Sequence, residues 1–272
     1  MKKKVLSILL SAAMVAAMVS GCGSKDEGSS SADKTEASSD DAAASDATYE
    51  GTIKIGVVGP FSGSSAMVGD TEKKGVELAA KQINENGGIN GMTIELIEED
   101  DQQDPKTAVS AINKLVSSDE VVAAVGTVNS SCTLAMMDVT ENNEIPLVTP
   151  ISSGVAITDP SNSYIVRLQA SDKLQAKAIT EYAINDLGYK NIAVMFQNDD
   201  FGAGGKDVVV ETLKDAGIEP LAVEAFDSSA TDMSAQLLKI KDLNPEAIIM
   251  WTMYGCGATI AKQCDQLGID CD

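Results

Sequence analysis

From Gly51 onward, short apolar runs alternate with longer segments in which apolar residues recur every three or four positions. The short runs are typical of buried strands, and the longer periodic segments are typical of amphipathic helices. The pattern predicts strands at 52–58, 92–98, 121–125, 146–148, 164–168, 191–196, 219–225 and 246–251. It predicts helices at 70–86, 104–116, 130–143, 172–187, 202–216, 233–243 and 257–267.

This strand–helix alternation predicts an α/β fold with parallel, doubly wound sheets. The alternation restarts near Ala170, so we expect two lobes, 51–170 and 171–272. A further strand should begin around Ile269, but the chain stops at Asp272. We therefore expect a truncated sequence with an incomplete second lobe. We expect an unpaired sheet edge and uncovered apolar surface to make the 272-residue chain unstable, poorly soluble and unresponsive to ligand.

The first 50 residues have a different character. Three lysines precede an apolar run, Val5–Val19, which is too short to span a bilayer and predicts a signal peptide at 1–21. Residues 22–50 are rich in Ser, Asp and Ala, which indicates a disordered tether. The string Val19–Cys22 resembles a bacterial lipobox, which implies a lipid on Cys22 and anchoring at the extracytoplasmic face of the cell membrane. An ordinary secretory signal with an accidental cysteine is the alternative.

Composition narrows the function. The net charge is −21, histidine is absent and Arg167 is the single arginine. Nucleic acid is therefore excluded as a partner, because phosphate binding requires clustered Lys and Arg. Without histidine, neither a Ser-His-Asp nor a Cys-His site can be built, and the commonest metal ligand is missing. Catalysis is therefore disfavoured, although a carboxylate- or lysine-based enzyme stays open at this point. We expect a protein that is not an enzyme and that carries no metal or cofactor.

Four cysteines remain after Cys22, and no pair has the Cys-x-x-Cys spacing of a zinc or redox site. Cys132 and Cys264 are expected to be buried free thiols. Whether any of Cys132, Cys256, Cys264 and Cys271 pair is left open by the sequence.

Ligands of open α/β sheets bind beyond the carboxyl ends of the strands. That rule selects the loops 59–69, 127–133, 149–154, 197–205 and 252–257. Ser130 and Ser131 begin a helix, where free N–H groups and the helix dipole favour a carboxylate. Ser152 and Ser153 follow a strand, where hydroxyls and carbonyls can hold an ammonium group.

Phe201 and Tyr254 are candidates to cover a small ligand from the second lobe. Simpler roles stay open for all six of these residues: helix capping for the first pair of serines, turn chemistry for the second pair and packing for the aromatic residues.

Several segments, in order, resemble the leucine/isoleucine/valine-binding protein family: Ile55–Gly63, Gly69-Asp70, Ala80–Gly91, Asp100–Val109 and Ile145–Pro150. The resemblance covers most of 52–268. It implies a type I substrate-binding protein of an ABC importer, in which two lobes close on an amino acid, branched-chain or otherwise aliphatic, for delivery to a membrane permease.

The resemblance also implies roles for individual residues. Ser130 would contact the carboxylate of a zwitterionic ligand. Ile151, Ser152 and Ser153 would hold its carboxylate and ammonium groups. Tyr254 would be the aromatic lid from the second lobe, with Phe201 as its neighbour.

The chain departs from the family pattern at several positions, and the first two departures concern the ligand. Val68 stands where branched-chain binders carry an aromatic contact. The acidic residue expected to neutralise the ammonium group would lie beyond Asp272. Gln103 and Asn129 occupy the places of a disulfide that some relatives carry.

Two other functional classes can be weighed against a substrate-binding protein. A nucleotide-dependent enzyme is disfavoured, because Gly56–Gly63 lacks the Gly-x-Gly-x-x-Gly pattern and Pro60 lacks a phosphate-binding N–H. A ligand-sensing receptor module of the same fold, for amino acids, amides or other small solutes, remains the alternative.

Overall fold

A computed structural model describes residues 50–158 and 163–272, apart from the side chain of Tyr254. Both sheets lie within one unit, Asp46–Asp272. The predicted signal peptide, Cys22 and nearly all of the tether lie outside the described residues, so these expectations stay predictions.

The first lobe is built on a five-stranded sheet in the order β2-β1-β3-β4-β5, with every pair parallel. Its strands are β1 (Thr52–Gly59), β2 (Thr93–Asp100), β3 (Ala123–Gly126), β4 (Leu147–Thr149) and β5 (Ile165–Arg167). Its helices are α1 (Ala66–Glu85), α2 (Pro105–Ser117) and α3 (Ser130–Asn142), followed by a short 3₁₀ helix, Val155–Ile157.

The second lobe is built on a three-stranded parallel sheet in the order β7-β6-β8. Its strands are β6 (Ile192–Gln197), β7 (Val223–Phe226) and β8 (Ala247–Trp251). Its helices are α4 (Asp172–Asn185), α5 (Asp200–Asp215), α6 (Ser234–Lys241) and α7 (Tyr254–Leu267). The predicted fold of two doubly wound parallel lobes is confirmed.

Each lobe has its own apolar core. In the first lobe, Ile112, Leu115 and Met136 from α2 and α3 pack against one face of the sheet. In the second lobe, α6 and α7 cover one face of the sheet, and α4 and α5 cover the other. The doubly wound arrangement turns the carboxyl ends of both sets of strands towards the boundary between the lobes, where the chain passes from β5 to α4.

Some element boundaries differ from the predicted ones. β7 begins at Val223 rather than 219, because Pro220 has no N–H to donate to a neighbouring strand. α7 begins at Tyr254 rather than 257; its N-cap residue, Met253, makes no side-chain cap, so the sequence carries no start signal. α1 begins at Ala66 rather than 70, again without a side-chain cap at Ser65.

The chain after α7 lies alongside β8. The N–H of Asp272 donates to Glu246 O (3.1 Å), and Asp272 O accepts from Ile248 N–H (2.9 Å). This is the bonding pattern of a parallel neighbour, in agreement with the strand expected near Ile269.

The four cysteines beyond the tether are free. Cys132 is buried as expected, whereas Cys264 is only partly buried at the edge of the second core. Among the described helices, none combines the length and apolar character needed to cross a membrane.

Candidate functional site: a cavity between the lobes

A cavity of about 250 Å³ lies between the lobes at the carboxyl ends of β3, β4, β6 and β8. Four of the five loops selected from the sequence contribute to it, but the loop 59–69 does not, and Val68 is therefore not among its lining residues. The lining residues are Val128, Asn129, Ser130, Ile151, Ser153, Gln169, Asp172, Gln175, Phe201, Met250, Trp251, Thr252 and Met253.

A larger hollow, about 780 Å³, lies between the flanks of α4 and α5. Its lining combines seven charged side chains of the two helices with apolar residues of both lobes, and it lacks the loop that follows β8. Because ligands of this fold bind at strand ends, we place the candidate site in the smaller cavity.

Ser130 lines the cavity from the first turn of α3. It is not the helix cap, which was the simpler role left open by the sequence; the cap is Asn129, whose side chain accepts from the N–H groups of Ser131 (3.0 Å) and Cys132 (3.3 Å). Ser130 Oγ accepts from the N–H of Gly154 (3.1 Å), so its side chain joins the loops that follow β3 and β4.

Ser152 points away from the cavity. It is 1 % exposed, and its hydroxyl donates to Thr127 O (2.7 Å) and is also 2.7 Å from Thr133 Oγ1. Ser152 therefore holds two first-lobe loops together and does not line the cavity. The neighbouring Ile151 and Ser153 do line it.

Ser131 joins the two lobes. Its Oγ accepts from the backbone N–H of Asp200, the first residue of α5, at 3.3 Å. A second backbone contact runs from Asp172 N–H at the start of α4 to Ser153 O (2.9 Å). Ser131 is thus at the boundary but is not among the cavity-lining residues.

Two aromatic residues form the second-lobe wall. Phe201 is expected there from the sequence; Trp251, at the end of β8, is not. Their ring centroids are 6.1 Å apart. A Cβ atom at Gly205 would lie 2.1 Å from Trp251 Nε1, so only glycine lets the indole pack at this position. Tyr254 is the first residue of α7, but its side chain lies outside the described part of the structure, so its lid role stays a prediction.

Asp172 is the acidic residue of the cavity, and sequence reasoning missed it. Its side chain is fully buried, and neither carboxylate oxygen has a hydrogen-bond partner within hydrogen-bonding distance among the described residues. Burial raises the pKa of this carboxyl to about 6, although Ser153, Trp251 and Arg167 each favour the charged form. Asp172 is therefore mostly ionised at neutral pH, inside a cavity.

Arg167 supports this region from the end of β5. Its guanidinium donates to Ser153 O (3.3 Å) and Gly154 O (2.9 Å), so it braces the loop that carries Ser153. Its positive charge also opposes the rise in the pKa of Asp172.

A second buried carboxyl, Glu72 on α1, lies outside the cavity lining. It is 5 % exposed, and both of its oxygens lack a hydrogen-bond partner within the described residues. Burial and the neighbouring Asp101 raise its pKa to about 8, so Glu72 holds a proton at neutral pH.

Gln103 and Asn129, the residues expected at the positions of a disulfide, both make polar contacts. Gln103 Oε1 accepts from the hydroxyls of Ser64 (3.0 Å) and Ser65 (2.7 Å). Asn129 caps α3. Hydrogen bonds thus order the loops that carry these two residues.

The periplasmic binding protein family model matches residues 52–271. The chain belongs to this family. It is 32 % identical over 219 residues to the leucine-, isoleucine-, valine-, threonine- and alanine-binding protein of Pseudomonas aeruginosa, a match that covers 80 % of this chain and 58 % of that protein. The resemblance to Leu/Ile/Val-binding proteins is confirmed.

Two solved structures agree with this assignment. One is the branched-chain amino acid binding protein LivJ of Streptococcus pneumoniae in complex with isoleucine, with a TM-score of 0.73 and 31 % identity over 81 % of this chain and 62 % of that one. The other is the leucine-binding protein LivK of Thermotoga maritima, with a TM-score of 0.74 and 27 % identity over 80 % and 61 % of the two chains. The chain thus spans about three fifths of the length of these relatives.

Proposed function

We propose that this chain is the ligand-binding part of an extracytoplasmic solute-binding lipoprotein that delivers an amino acid, branched-chain or otherwise aliphatic, to an ABC importer. The protein would act by binding and release, without catalysis. The amino-acid relatives support this proposal, and the cavity chemistry adds an independent argument.

The observation that carries the proposal is the buried carboxylate of Asp172 in a cavity that also contains the start of α3. A helix N-terminus favours an anion, and an ionised buried carboxylate favours a cation. A ligand with a carboxylate and an ammonium group a few ångströms apart satisfies both. In our proposal Ser130 contacts the ligand carboxylate, and Asp172 with Ser153 contacts the ammonium group.

The remaining cavity wall suits an apolar side chain. Val128, Ile151, Met250 and Phe201 contribute apolar surface beside the polar groups. The volume of about 250 Å³ is just below the roughly 300–1,000 Å³ that ligand pockets commonly measure. A single amino acid is therefore favoured over a peptide or a nucleotide.

The test is calorimetry on the full gene product with three matched ligands. Leucine carries both charged groups, 3-methylbutylamine lacks the carboxylate, and 4-methylpentanoate lacks the ammonium group. Leucine should bind at least about a hundredfold more tightly than either analogue, because each analogue leaves a charged contact unmade. If 4-methylpentanoate or benzoate binds as tightly as leucine, the zwitterion proposal is wrong.

Membrane anchoring and transport need separate experiments. Cys22→Ala should release the protein into the medium or leave the precursor uncleaved, and fractionation with an anti-protein antibody would detect either result. Unchanged anchoring would contradict a lipid on Cys22.

Cells that lack the gene should take up labelled leucine more slowly than wild-type cells. Uptake at the wild-type rate would contradict the importer role.

A further inference from the structure

Gln197 is the last residue of β6, and it is buried with 1 % of its surface exposed. Its position is not used by the proposed ligand contacts, since it does not line the cavity. A buried amide needs partners for both its donor and its acceptor, so its contacts reveal what it holds in place.

The amide of Gln197 contacts both second-lobe loops that border the cavity. Its Nε2–H donates to the carboxylate of Asp199, the N-cap of α5. Its Oε1 accepts from the N–H of Met253, the N-cap residue of α7, at 3.4 Å. One side chain therefore connects the starts of the two helices that follow β6 and β8.

The α5 end of this connection is tightly constrained. The other carboxylate oxygen of Asp199 accepts from Gly202 N–H at 2.9 Å. A Cβ atom at Gly202 would lie 1.8 Å from Gln197 O, so the first turn of α5 sits directly on the end of β6. Phe201 lies between these two anchored residues and faces the cavity.

The α7 end has one further side-chain contact at its N-cap residue, from the Thr252 hydroxyl to Met253 O (3.3 Å). α7 has no side-chain cap, and the contact with Gln197 is the side-chain hydrogen bond that the Met253 N–H makes. Met253 and Thr252 line the cavity opposite the first lobe. The amide of Gln197 thus links this loop to the start of α5, next to Phe201.

We propose that Gln197 is a positioning residue, which holds the loops after β6 and β8 in one arrangement so that Phe201 and Met253 close on the ligand together. The part of this inference that is tested by leucine affinity rests on the proposed function. The mechanism is preorganisation, because a wall that is already ordered loses less conformational freedom on binding.

In the contact between Gln197 and Asp199, Gln197 donates and Asp199 accepts, and exchanging these two roles by substitution tests the proposal. In Gln197→Glu the new carboxylate faces Asp199 and repels it. In Asp199→Asn the new amide oxygen can still accept from Gly202 N–H, but the amide NH₂ group then faces the NH₂ group of Gln197, and two donors meet. In the double variant the carboxylate at position 197 can accept from Met253 N–H and from the amide NH₂ at position 199, while the amide oxygen at position 199 still accepts from Gly202 N–H. The double variant also keeps the net charge.

Leucine affinity should fall about tenfold to a hundredfold in Gln197→Glu, less in Asp199→Asn, and should return to within about threefold of wild type in the double variant. Thermal melts of each variant report folding. A loss of melting temperature with unchanged leucine affinity would mean a merely structural role and would overturn the inference.

The fluorescence of Trp251, the single tryptophan of the chain, gives a readout without ligand. Since Trp251 packs near Phe201, Gln197→Glu should shift its emission and increase acrylamide quenching, and the double variant should reverse both changes. If wild type binds no amino acid, the proposed function fails, but the fluorescence still decides the positioning role. Emission and quenching unchanged in all three variants would overturn it.

Discussion

Among the described residues, each lobe contains one buried side chain whose two carboxyl oxygens both lack a hydrogen-bond partner, and these two carboxyl groups behave differently. Glu72 in the first lobe is 5 % exposed, and Asp172 at the start of the second is 0 % exposed. The pKa of Glu72 is raised to about 8, whereas that of Asp172 is raised only to about 6. At neutral pH the first therefore carries a proton and the second mostly carries a charge.

The neighbours explain the difference. Glu72 faces Asp101, whose negative charge adds to the effect of burial. Asp172 faces Arg167, the hydroxyl of Ser153 and the indole N–H of Trp251, all of which oppose burial. Burial alone thus does not determine the state of a carboxyl group; the sign of its nearest charges does. Of these two groups, only Asp172 is poised to bind a cation.

The largest expected effect concerns stability and Glu72. Its folded pKa lies above the ordinary 4.5, so the folded chain binds more protons than the unfolded chain between these values. The free energy of unfolding should therefore fall as the pH rises from about 4.5 to about 8, by roughly 1.4 kcal/mol per pH unit. Urea unfolding at several pH values measures this slope.

Glu72→Gln should remove most of that slope, because the amide mimics the protonated acid at every pH. Asp101, whose pKa is also raised by burial, contributes in the same direction and should leave a residual slope. The control is Glu77→Gln, an exposed change on the same helix, which should leave the slope intact. A slope that survives Glu72→Gln unchanged would mean that Glu72 does not hold the proton.

The second prediction concerns affinity and Asp172. Asp172→Asn should weaken leucine binding about thirtyfold to a thousandfold, because the ammonium group would lose a buried charge partner. Folding should persist, because the amide has nearly the same size and removes a charge that burial disfavours. Calorimetry measures the affinity, and Asp200→Asn, an exposed change at the cavity boundary, is the charge-matched control. Equal affinities for Asp172→Asn and wild type would contradict the ammonium contact.

Much of the fold was accessible from the sequence, because strand and helix periodicities are local. Ser130, Ser153 and Phe201 could be assigned to the cavity because strand-end loops meet at one edge, and Ile151 was implied by the family resemblance. Asp172 could not be found in this way. A polar residue at a helix start usually faces solvent, and only the passage of the chain between lobes buries it. The sequence also places Ser152 among the ligand contacts, whereas Ser152 is not among the cavity-lining residues, because no local pattern tells which of two adjacent serines faces the cavity.

The third prediction is the pH dependence of binding. If the ionised form of Asp172 binds the ammonium group, affinity should be lost as the pH falls through about 6. Leucine binding at pH 5 should be roughly tenfold weaker than at pH 7, because about one unit below its pKa a group is mostly protonated. Asp172→Asn should bind weakly at both pH values. A flat profile for the wild-type protein would contradict this assignment.

The smallest expected effect tests the cation that distinguishes the two carboxyl groups. Arg167→Met removes the positive charge near Asp172, so the pKa of Asp172 should rise and the midpoint of the binding profile should move to higher pH. Affinity should fall by less than about tenfold at pH 7 and recover at pH 8.5.

Arg167→Lys is the control, because it keeps the charge but loses the planar guanidinium group that reaches Ser153 O and Gly154 O. If the lysine variant keeps the wild-type midpoint, the charge sets the state of Asp172; if both variants lose affinity equally at every pH, Arg167 acts only by bracing the loop. A wild-type midpoint in the methionine variant would mean that Ser153 and Trp251, rather than a cation, separate Asp172 from Glu72.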